Sequence, residues 1–239
     1  MRKRAVCIIL IFLASCMQVF CADAVMNRDT FPYLIDTSTY TTIKKQETYQ
    51  SFATCDYLYV GKYRDTITVN YSLRLLEKGE SYSGNNGVEG YSLSWILDGH
   101  YPLWEQSAIE VNIDTTKKIK GRDFTTMNWE TVYYEAYPVL LRNVEEDTIM
   151  IGLQMELALL LEAKDSLGNW QLIEEEIGSF CGMELGGVLP PNEVVLTSVG
   201  IYQGAYETDL RLRIGNNYSL PFRGFITYSQ LESEFKRRP

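Results

Sequence analysis

The strongest constraint on this chain is a hydrophobic repeat of two. Ile67, Val69, Tyr71, Leu73 and Leu75 fall on one side of an extended backbone, as do Tyr91, Leu93, Trp95 and Leu97, and Ile109, Val111 and Ile113. The longest set runs Ile149, Ile151, Leu153, Met155, Leu157, Leu159 and Leu161, with Thr148, Gly152, Gln154 and Glu156 opposite. A helix there would be apolar all round, so a strand with one buried face is the better solution. Leu210, Leu212 and Ile214 alternate with Arg211 and Arg213. No stretch offers an amphipathic helix of more than about two turns. The chain reads as all-β, an antiparallel β-sandwich or a pair of them.

Turn chemistry falls between these runs. Residues 163–170 place Asp165, Ser166, Gly168 and Asn169 between two β-rich segments, the pattern of a hairpin. Pro190-Pro191-Asn192-Glu193 reads as a rigid turn, and the glycine- and asparagine-rich 81–90 as a mobile surface loop. Lys117, Lys118, Lys120 and Arg122 crowd into 114–122 without an apolar repeat, so that stretch reads as a linker or a long inter-sheet crossing. It divides the chain into an N-terminal β domain or half-domain over 25–115 and a C-terminal sandwich over 123–232. The first stretch either stands alone or shares a core with the second. The second offers seven strands, near Val132, Leu140, Ile151, Trp170, Leu196, Leu212 and Phe225. That number and spacing are those of an immunoglobulin-like sandwich, without the Cys…Trp…Cys pattern of true immunoglobulin domains.

The N-terminus carries an address. Met1-Arg2-Lys3-Arg4 precedes an unbroken apolar run over 5–13, the two parts of an export signal. Leu13-Ala14-Ser15-Cys16 matches a bacterial lipobox, in which Cys16 becomes the lipidated first residue. If the apolar run extends to Phe20 instead, ordinary cleavage follows Cys21 or the small-residue pattern Ala22-Asp23-Ala24, making 1–22 a signal peptide. A retained anchor is the third option, because the run sits at the lower limit for spanning a bilayer. All three put the remainder outside the cytoplasm, either lipid-anchored in the cell envelope or secreted. Loss of Arg2, Lys3 and Arg4, with no acid, takes the formal −9 to about −12 in the mature chain. Cleavage after Cys21 leaves Cys55 and Cys181, an even pair in an oxidising compartment, which either form a disulfide or sit as small buried residues.

Composition narrows the chemistry. A formal charge of −9 and a pI near 4.8 exclude nucleic acid as the main partner, since phosphate binding needs a basic footprint. His100 is the single histidine, and no Gly-x-Ser-x-Gly elbow is present. Neither a metal site nor a cofactor site is expected, and no catalytic residue is assigned. Glu145-Glu146-Asp147 and Glu174-Glu175-Glu176 read as solvated charge runs. The best ligand candidate is the aromatic loop holding Trp95, Asp98, His100, Tyr101, Trp104 and Glu105. Its rings could stack on a sugar face while Asp98 and Glu105 accept hydroxyl hydrogen bonds. The same two acids are the best candidate pair for glycoside hydrolysis, and rings that simply fill the core are the competing explanation.

The signal, together with Tyr-Pro-Val-Leu-Leu-Arg-Asn (137–143), the Ala-Lys-Asp…Gly-Asn-Trp hairpin, Ser-Phe-Cys-Gly, Leu-Pro-Pro-Asn-Glu and Thr-Asp-Leu-Arg-Leu-Arg, resembles uncharacterised exported (lipo)proteins of Bacteroidetes. The resemblance covers roughly 130–228 and implies an immunoglobulin-like sandwich in the cell envelope, with no catalytic residues to carry over. It also implies O-glycosylation at Asp-Ser/Thr pairs, matched here at Thr66, Thr115, Thr148 and Ser166. In a eukaryotic source, Asn70 and Asn217 would be N-glycosylation sequons instead. The functional expectation is a non-catalytic interaction or structural protein at the cell surface. A glycan-binding accessory protein is the alternative, and an enzyme acting on glycosides a more distant one.

Overall fold

The longest strand of the protein, β9 (Val132–Asn143), is paired along both of its edges. On one edge it meets β15 (Glu193–Gly200) from Arg142 opposite Val194 to Ala136 opposite Gly200. The other edge is covered twice, by β7 (Ile109–Ile113) and then by β8 (Ile119–Asp123), both antiparallel to β9. A computed structural model describes residues 31–38, 43–44, 56–71, 73–77, 87–92, 101–123, 132–153, 156–174 and 185–232.

Pro138 lies inside β9, where a missing N–H ordinarily costs a ladder bond. Residues 114–118 leave the ladder opposite this point, and the Pro138 carbonyl accepts the Asp114 N–H at 3.1 Å. A strand residue's N–H and C=O point to the same side, so the absent donor faces that excursion and no pairing is lost. The stretch expected as a linker is therefore an interrupted edge strand. Its bend is built on Asp114, whose Oδ1 accepts the Thr116 N–H and hydroxyl, with Lys117 3.2 Å from Oδ2. Burial pushes the Asp114 pKa up, but the Thr116 and Lys117 contacts outweigh it and hold the carboxyl below its ordinary value. Lys118 pairs with Glu135 at 3.0 Å, and the Lys120 ammonium donates to Ser38 Oγ at 2.7 Å. The basic cluster serves local ties.

The first sheet runs β2 (Ile43–Lys44), β9, β15, β3 (Tyr59–Lys62), with β7 and β8 added on β9. The second runs β11 (Glu156–Leu157), β10 (Ile149–Leu153), β14 (Leu185–Leu189), β6 (Gly87–Ser92), β5 (Arg74–Glu77). The third runs β13 (Trp170–Leu172), β12 (Leu160–Lys164), β16 (Tyr206–Ile214), β17 (Asn217–Tyr218), with β18 (Phe222–Ile226) also on β16. A parallel pair joins β1 (Tyr33–Asp36) to β4 (Thr66–Val69). One short helix, α1 (Tyr228–Glu232), follows β18. Antiparallel pairing dominates, and the parallel exceptions, β1–β4, β2–β9 and β5–β6, each involve a strand from the first part of the chain. Among the described residues no helix is long and apolar enough to cross a membrane.

The core forms where the three larger sheets meet. Val139, Leu141, Val111 and Val195 from the first sheet pack with Ile149, Ile151, Leu157 and Leu189 from the second and Leu161, Leu210, Leu212 and Ile226 from the third. Each fully buried aliphatic side chain contributes about 1.5–3 kcal/mol. The arrangement is an all-β, sandwich-like fold. Strands from before and after 114–122 share the first two sheets, and the described residues from Pro32 onward belong to one compact unit.

Several expected strands change shape. The run from Ile149 to Leu161 is three strands: β10 turns back on β11, with Gly152 opposite Leu157, and β12 then enters the third sheet. The single apolar face does not exist in the fold, because β10 and β12 belong to different sheets and each is buried on both of its faces. Val132 and Leu140 belong to the one strand β9, because Pro138 is accommodated. The set Ile67 to Leu75 is divided near Asn70, where the Leu73 N–H bonds to the Asn70 carbonyl at 3.4 Å. Gly87 to Gly90, expected in a loop, lie in β6. The hairpin at 163–170 forms as expected, with Asp165 accepting the Leu167 and Asn169 N–H groups, each at 2.9 Å, and Gly168 at φ +85°. These bonds, that from Asn169 foremost, hold the Asp165 pKa below its ordinary value. The 190–193 turn also forms, with Asn192 at φ 59° and the Glu193 N–H on the Pro190 carbonyl.

Leu157 is completely buried, whereas Leu167 at the tip of the β12–β13 hairpin is 84% exposed. Leu157→Asp is expected to cost about 3 kcal/mol or more, because it drives an unpaired charge into the core, while Leu167→Asp changes stability by less than about 0.5 kcal/mol. Urea denaturation of both variants checks this contrast.

Candidate functional site

The loop after His100 is pinned from four directions. The Pro102 carbonyl accepts the Met150 N–H at 2.9 Å, and Leu103 bridges Met150 in parallel. The Ser107 hydroxyl donates to the Leu103 carbonyl at 2.9 Å. Glu145 Oε1 accepts the Ala108 N–H at 2.7 Å. Finally, the β16–β17 turn reaches across: Asn216 Nδ2 donates to the Glu105 carbonyl at 2.8 Å and Asn217 Nδ2 to the Ser107 carbonyl at 2.7 Å. Asn217 Oδ1 accepts the Ile109 N–H, and its Nδ2 also reaches the Ile214 carbonyl at 3.2 Å. Both hydrogens of the Asn217 amide are thus engaged by backbone carbonyls. Gly215 makes the turn possible. It adopts φ +56° at the first central position of a two-residue hairpin turn, and a Cβ there would run into the Trp104 carbonyl.

Between this loop and the third sheet lies a cleft of about 390 Å³, lined by Trp104, Glu105, Leu153, Ala158, Leu160, Arg213, Gly215 and Asn216. Trp104 is half-buried and packs on the core while lining the cleft. Glu105 and Asn216 are exposed at its rim. Of the residues expected at a ligand site, Trp104 and Glu105 are brought here. Tyr101 is half-buried in the same loop, outside the cleft lining. Trp95, Asp98 and His100 lie outside the described residues, as do Cys16, Cys55 and Cys181. Among the described residues no group of three or more His, Cys, Asp or Glu side chains could hold a metal ion.

The cleft opens onto the outer face of the third sheet. Odd-numbered residues of β16 point outward, and the register sets Leu160 beside Arg213, Glu162 beside Arg211, and Arg213 beside Tyr218. Glu162 is almost buried beneath two guanidinium groups. Arg211 bonds its Oε2 at 2.7 Å, and Arg213 Nε lies 3.2 Å from its Oε1. The Arg211 guanidinium is sandwiched between the Trp170 ring at 4.3 Å and the Tyr218 ring at 4.1 Å. Lys164 lies 5.1 Å from the Trp170 ring and pairs with Asp209 at 3.1 Å. Asp209 also takes Arg223 at 3.1 Å, and the two cations, Arg223 first, hold its pKa below the ordinary carboxyl value. The hydrogen bond from Arg223 to Asp209 in turn raises the guanidinium's own pKa.

Sequence reasoning missed most of this surface. The Leu-Arg-Leu-Arg alternation gave the outward direction of Arg211 and Arg213, and Trp170 was visible as the residue closing the hairpin. What sequence did not supply was the register that sets Glu162 beside Arg211. Of the sites matched to the O-glycosylation pattern, Thr66, Thr115 and Ser166 are exposed and Thr148 is half-buried.

One acid departs from the solvated reading. Glu174 is buried, with its Oε1 accepting the Tyr202 hydroxyl at 2.9 Å. Burial raises its pKa to about 7, against opposing hydrogen bonds from Tyr202 and the Leu161 backbone. The folded protein therefore keeps a proton there that the unfolded chain releases near its ordinary value. The stability from this group is complete below that value, falls as pH rises through about 7, and is gone above it. Glu174→Gln is expected to flatten this dependence and raise stability at pH 8 by about 3 kcal/mol, following about 1.4 kcal/mol per pKa unit. Thermal melts of both proteins from pH 4 to 8 measure it.

No protein-family model, curated protein or solved structure matches this chain.

Proposed function

We propose that this is an exported cell-envelope protein that binds a protein partner without catalysis, through the outer face of its third sheet. The observation that carries the reading is the Trp170–Arg211–Tyr218 stack above Glu162. Tryptophan, tyrosine and arginine dominate the energetics of protein interfaces, and side chains already held in one geometry lose little freedom on binding. Tyr218 and Phe225 are each about half exposed on this face, beside Arg223 and Glu207 in an ion pair of 3.3 Å. Such a surface combines apolar contact area with fixed charges that select orientation. The basic cap and apolar run at the N-terminus support the address, with lipidation at Cys16 supplying a membrane anchor or plain secretion the alternative.

Two measurements test this. A photo-crosslinking residue at Tyr218 is expected to give a discrete adduct in intact cells, which Arg211→Ala removes, while the same probe at exposed Val144 gives none. No adduct at Tyr218, or equal adducts at both positions, overturns the interface. Mass spectrometry of the mature protein is expected to find acylated Cys16 or a free N-terminus at Ala22 or Val25; an intact Met1 overturns export.

A further inference from the structure

We propose that the cleft between the Trp104 loop and the β16–β17 turn is a binding site for a neutral saccharide residue. The cleft adjoins the stacked face at Arg213 and is assembled from three distant parts of the chain: the loop at 104–105, residues Leu153, Ala158 and Leu160, and residues Arg213, Gly215 and Asn216. Its volume of about 390 Å³ lies at the small end of the range of about 300–1,000 Å³ typical of ligand sites, which suits one or two sugar rings.

The lining selects the chemistry. One side is apolar, made by Leu153, Ala158, Leu160 and the accessible part of Trp104. The rim is polar and of mixed sign, with the Glu105 carboxylate, the Asn216 amide and the Arg213 guanidinium. An anionic ligand would meet Glu105, and the Arg213 charge is already shared with Glu162. A purely apolar ligand would leave the rim groups facing hydrocarbon. A pyranose resolves both conflicts: its axial C–H face suits an indole and aliphatic floor, and its equatorial hydroxyls donate to a carboxylate and exchange hydrogen bonds with an amide. The site is also preformed. Asn216 donates to the Glu105 backbone carbonyl, which ties the loop to the turn, and Gly215 lets the turn lie against the Trp104 backbone.

The mature full-length protein is tested by saturation-transfer NMR against glucose, galactose, mannose, N-acetylglucosamine, cellobiose and chitobiose, with glucuronate and free lysine as charged comparators. Transfer to the ring C–H protons of at least one neutral sugar is expected. Titration should show that Glu105→Gln and Asn216→Ala each weaken binding about tenfold, the loss of one hydrogen bond involving a charged or fixed partner. Glu105 is exposed and its carboxylate is at the rim, so Glu105→Gln keeps its melting temperature within about 2 °C of the parent. Leu167→Asp, at the exposed tip of the β12–β13 hairpin, should leave sugar binding unchanged. Absence of transfer to every neutral sugar, binding that survives both rim substitutions, or binding of only glucuronate or lysine overturns the proposal.

Discussion

The structure depends on the pairing of β9 with β15. These two strands run side by side over seven residue pairs, and both are buried along nearly their whole length. Val139, Leu141, Val195 and Val199 face the shared core, while Leu140, Val194, Leu196 and Ser198 on the alternate face are buried as well. A strand buried on both sides must satisfy every backbone donor and acceptor within the sheet, because water cannot reach them. That requirement explains why β9 needs two edge strands in place of one. A continuous partner would confront Pro138 with a carbonyl to which it has no N–H to donate. Interrupting the partner at 114–118 removes the conflict, and the Asp114 bend that fills the gap is held by its own side-chain bonds.

This also explains which features were legible in the sequence. Period-two alternation identified the class, because each strand of a sandwich-like fold obeys it locally. The turns at 163–170 and 190–193 were legible because Asp165, Gly168 and Asn192 act through bonds and dihedrals within a few residues. Strand ends were less legible where the sequence repeat ran on through a reversal, as between Leu153 and Leu157: the antiparallel register sets Leu153 opposite Glu156 and Leu157 opposite Gly152, so the two leucines lie on opposite faces of the sheet. The sharing of sheets between early and late strands was not readable, since β6 pairing with β14 depends on contacts nearly a hundred residues apart. At the candidate site, Trp104 and Glu105 were identified by residue type alone. Their partners Leu160, Arg213 and Asn216 come from other strands, and only the fold joins them.

The outer face of the third sheet shows how an acidic chain holds a cationic surface. Glu162 carries one negative charge between two guanidinium groups, and it is nearly buried. Removing either arginine alone leaves that carboxylate with a single partner, whereas removing the carboxylate leaves two like charges adjacent. The group is thus stable as a set, and its geometry resists substitution of any one member. The rings of Trp170 and Tyr218 add to this by covering the faces of the Arg211 guanidinium, a weakly hydrated ion that tolerates apolar neighbours. The lysine equivalent would lose both the stacking and the bidentate reach.

Arg213 is where the two proposed surfaces meet. Its position in β16 sets it beside Tyr218 on the sheet face, and the same side chain lines the cleft beyond Leu160. Because Glu162 anchors Arg213 from the sheet side, the guanidinium is presented to the cleft with its charge partly compensated. The cleft can therefore offer a fixed hydrogen-bond donor without a strong field, which suits hydroxyl groups better than phosphate or carboxylate. At the exposed edge of the stacked face the balance is reversed, one guanidinium, Arg223, pairing with two carboxylates, Glu207 and Asp209. One sheet thus carries two surfaces of different polarity because its salt bridges divide the same set of arginines unequally between them.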